Sequence, residues 1–583
     1  MRHLLVVSIG PVQEFIAAAR RTRDLWFGSE MLSEVSRAAA SSIGQDRLIF
    51  PSSTGSDAAP NVANVILAEL EDGKDPQAFA ELARTAAEGR WLKYAGQAWD
   101  IASSVLNQRR WNTQIGDVLE FYAAWAPLPN DDAYAATRRQ VMRLLAGRKA
   151  CRNFDPGAGE AGVPKSSLDG ARESVWMDGW DSSQLEARLA RRLRLSSGEQ
   201  LDAVGVVKRL AGRARDNAPV SYPSVSRIAA DPWLRGLQQA DPAGLDELKA
   251  ECRKLHGEEL LTEANWKQFS IFPFEGAAAY RNRHAELAEE TKAKGRFDAL
   301  TKIVKNLERH GTPNPYLALL AADGDKMGKA ISAIGSAVRH RQFSEELSRF
   351  ANRAKGFVAD NHGYPIYTGG DDVLALVALD GALECACQLR EEFCNLMKNW
   401  EHSPTLTVGI AIGHFLEPLE DLLSWARAAE KDGKDSGRNA LAVHLHMRGG
   451  VPLKVRGLWS DPEETRLDRQ LISLAEMHLA EQIPDKAGYD LSEMAREYQG
   501  WPNDTGQEQE DLQAAMHADA ARLIARKRAR RPVGDESPLL KMVKHVNCAA
   551  DLAAVADRVI LARHFADAIS QARGKRASGE DKP

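Results

Sequence analysis

The residues best suited to chemistry are acidic and fall in two tight groups, Asp323-Gly324-Asp325 and Gly369-Gly370-Asp371-Asp372. Carboxylates gathered within a few ångströms repel one another unless a divalent cation neutralises them. Mg²⁺ favours one or two carboxylates together with substrate phosphates, so the pattern asks for Mg²⁺ or Mn²⁺ and a nucleotide. The candidate catalytic residues are Asp371, Asp372 and Asp323, and the candidate metal ligands are the same three with Asp325. Gly369 and Gly370 lack Cβ atoms, tolerate positive φ and let a triphosphate approach the backbone. Gly324 and Lys326 complete the first motif's share of a nucleotide site, and Lys434 and Arg438 in KDGKDSGRNALAV are cations for β- and γ-phosphates. A lone Gly-Gly-Asp-Asp is a common hairpin turn, so the functional reading rests on both motifs occurring at strand ends in the right order.

That order is legible. YLALLAA (316–322) is a continuous apolar strand running into the first motif, and a helical segment from about 329 to 360 follows it. YPIYTGGDDVLALVALD (364–380) reads as two strands joined by a tight turn. A helix over 381–399 and the strand TLTVGIAIG (405–413) complete a βαββαβ sequence, the ferredoxin-like order that also underlies polymerase palms. In that fold the first and third strands are antiparallel neighbours, which brings Asp323 beside Asp371. WARAAEKDGKDSGRNALAV (425–443) reads as a helix and then a strand, with Lys434 and Arg438 near the junction. No general base stands out: His340 and His362 read as helix-surface or loop residues, leaving Asp372 or water.

Elsewhere, LLVVSI (4–9) reads as a buried strand and GPVQ opens a helix with Val12, Phe15, Ile16 and Ala19 on one face. Arg20, Arg21 and Arg23 close to Trp26 form either a solvated helix face or a phosphate-binding cluster. VANVILA (62–68) offers another strand, and long helical stretches are expected from there to about residue 149. Residues 153–170 read as a loop, 226–312 as charged helices ending at LERHGTPNP, and the chain beyond 455 as helical with a disordered tail. In ARLIARKRARR, Arg522, Arg526 and Arg530 recur every four residues, widened by Lys527 and Arg531. This is either an RNA-contacting stripe or a solvated helix.

The chain has 583 residues, 44% hydrophobic and 27% charged, which suits several folded domains. A net charge of −5 argues against coating nucleic acid by bulk electrostatics. No run of 18 apolar residues and no cleavage signal occur, so a cytoplasmic protein without membrane contact is expected. The six cysteines include no Cys-x-x-Cys pair, and packing is the better reading for Cys385 and Cys387.

SIGPVQEFIAAARRTRDLWFGS, PYLALLAADGDKMGKAI, YTGGDDVLALVAL and SGRNALAV together resemble the large subunit of type III-B (Cmr) CRISPR effector complexes, the CRISPR polymerase family. SGRN with its preceding lysine also resembles diguanylate cyclases of the GGDEF family. The resemblance implies an α+β protein with two ferredoxin-like (polymerase palm or nucleotide cyclase-like) domains, a helical spacer and a C-terminal helical domain. The corresponding ranges are 1–225 for palm one with an insertion, 226–312 for the spacer, 313–455 for the catalytic palm two, and 456–583 for a helical domain docking on neighbouring subunits. It further implies conversion of ATP to cyclic oligoadenylates when guide RNA pairs with target RNA, and the other Cmr subunits as partners. Two departures are visible. None of the 14 histidines is followed by Asp, so no HD nuclease is expected. Ser166 and Ser167 stand where a zinc-binding Cys pair is often found, so no zinc is expected there. A free-standing nucleotide cyclase and a non-catalytic ribonucleoprotein scaffold are the alternatives.

Overall fold

The computed structural model describes residues 1–52, 63–151, 159–180, 189, 193, 195–196, 198–211, 222–256, 261, 263–264, 266–290, 295–499, 507–526 and 537–575. The N-terminal apolar run forms β1 (Arg2–Gly10), buried on both faces. It is followed by α1 (Gln13–Ala17), α2 (Thr22–Ile43), β2 (Leu48–Phe50), β3 (Val65–Leu70), α3 (Pro76–Ala102), α4 (Gln108–Gly116), β4 (Glu120–Leu128) and α5 (Tyr134–Ala150). The four strands form an antiparallel sheet in the order β2-β3-β1-β4, the ferredoxin-like arrangement. Leu4, Val6, Ala124 and Ala126 pack under Tyr134 and Val141 of α5. Leu5, Val7, Ile66 and Ala68 belong to the larger core that includes Val35 of α2 and Ala87 of α3.

β4 corrects the expectation of helix up to residue 149. Its sequence EFYAAWAPL is rich in alanine and lacks clean alternation, so its pattern resembles a helix, while pairing with β1 from Arg2↔Leu128 to Gly10↔Glu120 makes it a strand. Pro127 is tolerated because β4 lies at the sheet edge.

Next come α6 (Ala203–Leu210), α7 (Val225–Ala240), α8 (Pro242–His256), α9 (His284–Glu290) and α10 (Asp298–Leu307). The second sheet is built from β5 (Tyr316–Asp325), then, after α11 (Met327–Ala333) and α12 (Ala337–Asp360), β6 (Gly363–Gly369) and β7 (Asp372–Val377). After α13 (Ala382–Met397) come β8 (Thr405–His414), α14 (Leu419–Asp435), β9 (Ala440–Leu445) and β10 (Leu453–Leu458). The order is β10-β9-β8-β5-β7-β6, so β5 lies between β7 and β8 as the βαββαβ reading requires. The sheet reaches past residue 455 to Leu458. Helices α15 (Leu467–Leu479), α16 (Ala487–Glu497), α17 (Gln507–Arg526), α18 (Pro538–Lys544) and α19 (Ala549–Ala572) close the described chain. Among the described residues, no helix is long and apolar enough to cross a membrane.

The two sheets are tied together through the start of α12. Ser52 N–H donates to Ser344 Oγ at 2.8 Å, and Arg341 Nε donates to the Leu48 carbonyl at 2.9 Å. His340, expected on a helix surface, is 4% exposed and meets the Tyr134 hydroxyl through Nδ1 at 2.7 Å. Burial, reinforced by Arg138, holds its pKa down at about 3, so it stays neutral. His362 is a half-buried turn residue with φ of 56°.

A candidate two-cation nucleotide site

β5 and the β6–β7 hairpin meet in register, with Ala322 opposite Val373, so the ends of the two strands project their acids into one cleft. Carboxylate oxygens of Asp323, Asp371 and Asp372 all lie within 4.8 Å of one another. Asp371 sits in the turn and Asp372 opens β7, which pairs with Gly369 of β6. Gly324 is needed for this approach: a Cβ there would stand 2.7 Å from Asp371 Oδ2 and 2.8 Å from both Asp371 Cβ and Met327 Cγ. The clearance at Gly324 therefore serves the hairpin carboxylate.

Burial raises the pKa of Asp371 well above the usual carboxylate range, and the charge of Asp323 raises it further, against the pull of Lys434. Asp372 keeps an exposed flank, but protein crowding around its carboxyl, a hydrogen bond with Asp323 and the nearby Asp371 and Glu430 raise it as well. Hard oxygen donors at this spacing, two of them held toward the neutral form by burial and by mutual repulsion, fit Mg²⁺ or Mn²⁺.

Lys434, near the end of α14, bonds to Asp323 and reaches Glu430 Oε1 at 2.6 Å. Burial lowers its pKa, but the hydrogen bonds it donates to both acids outweigh that and raise it. The helix can come this near because β8 is bare where they touch. A Cβ on Gly409 would run into the Glu430 backbone, and one on Gly433 would lie 2.8 Å from Thr407 Cγ2.

Asp325 is not brought to the cluster. It is 1% exposed and accepts from Thr405 Oγ1 at 2.9 Å, Thr407 Oγ1 at 2.9 Å and the Asn439 N–H at 2.8 Å. Those bonds use its oxygens to fasten the β5 end to β8 and to the turn before β9, where Gly437, Arg438 and Asn439 have φ of 127°, 65° and 45°. Arg438 is exposed on that turn, and Lys326 is exposed at the start of α11 with φ of 61°.

The two hairpin glycines differ. Gly370, at φ of 64°, has open space where a Cβ would stand, whereas a Cβ on Gly369 would collide with the Tyr367 hydroxyl. Gly369 is therefore covered by protein, and only Gly370 offers the clearance expected of both. Tyr367, Thr405, Thr407 and Glu430 were not singled out by sequence. Strand alternation places Tyr367 on the face of Gly369, which was a usable signal, whereas nothing in the sequence marks the threonines as partners of a distant aspartate.

Of the weaker expectations, Arg522 is exposed and pairs with Asp519 at 3.1 Å, while the Arg526 side chain, Lys527, Arg530 and Arg531 lie outside the described residues. Arg20 is exposed, and Arg23 donates to the Arg209 carbonyl at 2.8 Å. Cys385 and Cys387 are buried. Ser167 Oγ accepts from the Gln200 N–H at 3.0 Å.

Residues 316–442 match the family model of the second palm domain of Cas10/Cmr2, and residues 4–96 match that of the N-terminal part of CRISPR-associated protein Cmr2. Two segments of the chain are thus similar to domains of Cas10/Cmr2 proteins. A segment of 206 residues is 32% identical to the CRISPR system Cmr subunit Cmr2 of Pyrococcus furiosus, covering 30% of this chain and 23% of that protein. The chain thus spans less than a quarter of that relative's length. Among solved structures, a chain of the apo type III-B Cmr-beta complex aligns over 96% of this chain and 81% of its own, with a TM-score of 0.66 and 13% identity. A chain of the same type of complex bound to cognate target RNA covers 92% of this chain and 80% of its own, with a TM-score of 0.60 and 14% identity. At those identities the likeness is one of fold, and it covers the helical regions as well as the two matched segments.

Proposed function

We propose that this chain is the nucleotidyltransferase subunit of an RNA-guided type III-B Cmr effector complex in the cytoplasm, and that it joins ATP molecules into cyclic oligoadenylates when target RNA pairs with the guide. The observation that carries this reading is the convergence of Asp323, Asp371 and Asp372 within 4.8 Å at the end of a palm sheet. Divalent cations held there supply activation of a 3′-hydroxyl and charge stabilisation at an α-phosphate, with pyrophosphate as the leaving group. The chain's own contribution is positional. Gly370 leaves the turn open to a triphosphate, Lys434 presents a cation beside the acids, and Arg438 and Lys326 extend from neighbouring turns. Asp325 stays out of the chemistry and fixes the geometry.

The test is to incubate the full chain, alone and in its complex with target RNA, with each of the four nucleoside triphosphates and Mg²⁺ or Mn²⁺, followed by mass spectrometry. Cyclic oligoadenylate formed only with target RNA is the expected result. Product from the isolated chain would identify a free-standing cyclase, and no product under any condition would identify a scaffold.

A further inference from the structure

The Tyr367 side chain has no part in the reaction outlined above, yet it occupies a telling place. It lies on β6 two residues before Gly369, leans along the strand and puts its hydroxyl over that glycine, at the base of the turn that carries Asp371 and Asp372. Among the described residues, the hydroxyl has no hydrogen-bond partner, and the side chain is half-buried. Several polar groups near the site are engaged, the Thr405 and Thr407 hydroxyls with Asp325 and the Lys434 ammonium with Asp323 and Glu430, while Thr368 Oγ1 and Asn439 Oδ1 are buried without a partner. Burial raises the Tyr367 pKa and the nearby Asp372 and Asp371 raise it further, so a free O–H donor lies beside the carboxylates, and phosphate oxygens drawn to cations held there would be acceptors only.

We infer that the Tyr367 hydroxyl is a nucleotide contact that donates a hydrogen bond to a phosphate oxygen of the bound triphosphate, and that Gly369 is glycine to make room for it. This rests on the reading of the cleft as a nucleoside triphosphate site. It reassigns Gly369 from clearing space for the ligand to seating a side chain that touches the ligand.

The experiment measures binding of the α,β-methylene analogue of ATP with Mg²⁺ to the full chain by calorimetry, and binding of Mn²⁺ alone. A hydrogen bond to a charged group is worth about 1.5 kcal/mol or more, so Tyr367→Phe is expected to weaken nucleotide binding about tenfold or more. Its Mn²⁺ affinity and melting temperature are expected to stay at wild-type values. Gly369→Ala displaces the ring while keeping the hydroxyl, and it is expected to weaken nucleotide binding at least as much. Wild-type nucleotide affinity in Tyr367→Phe overturns the assignment while leaving the nucleotide site intact. Equal loss of Mn²⁺ and nucleotide binding in Tyr367→Phe overturns it in favour of a structural role. Failure of the wild-type chain to bind the analogue overturns both the assignment and the reading of the site.

Discussion

At the residue scale the chemistry is set by carboxylates with different partners. Asp325 is saturated by two hydroxyls and a backbone N–H, whereas Asp323, Asp371 and Asp372 face one another. Burial and neighbouring acids place Asp371 and Asp372 above the ordinary carboxylate range, so the folded chain holds protons there that the unfolded chain releases. The sign follows directly. Without metal, the stability linked to these groups is fully present below the ordinary carboxylate range and is lost as pH rises through their raised values. A cation must displace those protons, so its affinity grows with pH. Mg²⁺ is therefore expected to raise the melting temperature more at about pH 8 than at about pH 6, and thermal unfolding across that range checks it. An equal shift at both would mean that these carboxylates are not where the cation binds. The acids themselves were readable from the sequence because Asp323 directly follows one apolar strand and Asp371 and Asp372 directly precede another. The separation of Asp325 from the other three was not, since both residues of Asp-Gly-Asp carry the same chemistry and only the tertiary position of Thr405 and Thr407 divides them.

At the element scale the site depends on how closely α14 lies on β8. Gly409 and Gly433 remove the side chains that would hold helix and sheet apart, and that contact sets Lys434 over Asp323. Gly409→Ala is expected to destabilise the chain by about 1–3 kcal/mol and to reduce ATP conversion, because the new methyl meets backbone at Glu430. Denaturant unfolding and product yield check the two effects. Wild-type values for both would show that the helix can shift without consequence. The βαββαβ order of the second palm was legible because β5 and β7 are largely apolar runs and the hairpin turn is glycine-rich. β4 of the first palm was hidden by its alanines, and its identity comes from nine register pairs with β1. His340 looked like a surface residue because its helix is charged, but the other palm covers it.

At the scale of the whole molecule, the far end of palm two from the carboxylates is bound to the helices on either side of it in sequence. Arg235 of α7 makes a two-oxygen ion pair with Asp380 at 2.8 and 2.7 Å, just beyond β7. Gln571 of α19 accepts from the Asn314 N–H at 3.0 Å and donates to the Thr312 carbonyl at 2.7 Å, at the approach to β5. α7 and α19 touch through Gly236, where a Cβ would collide with the Gln571 carbonyl. Gly236→Ala is expected to lower stability by about 1–3 kcal/mol while leaving Mn²⁺ affinity at the carboxylates unchanged, since the contact lies at the opposite end of the sheet. Unfolding and metal titration of that variant separate the two ends. The catalytic role of the three acids is tested in the assembled complex. The assembled complex with target RNA is given labelled ATP and Mg²⁺, and the wild-type chain is compared with the Asp371→Ala, Asp372→Ala double variant after assembly is verified. Cyclic oligoadenylate is expected from the wild type and none from the variant in an intact complex. Undiminished product from the variant would contradict it.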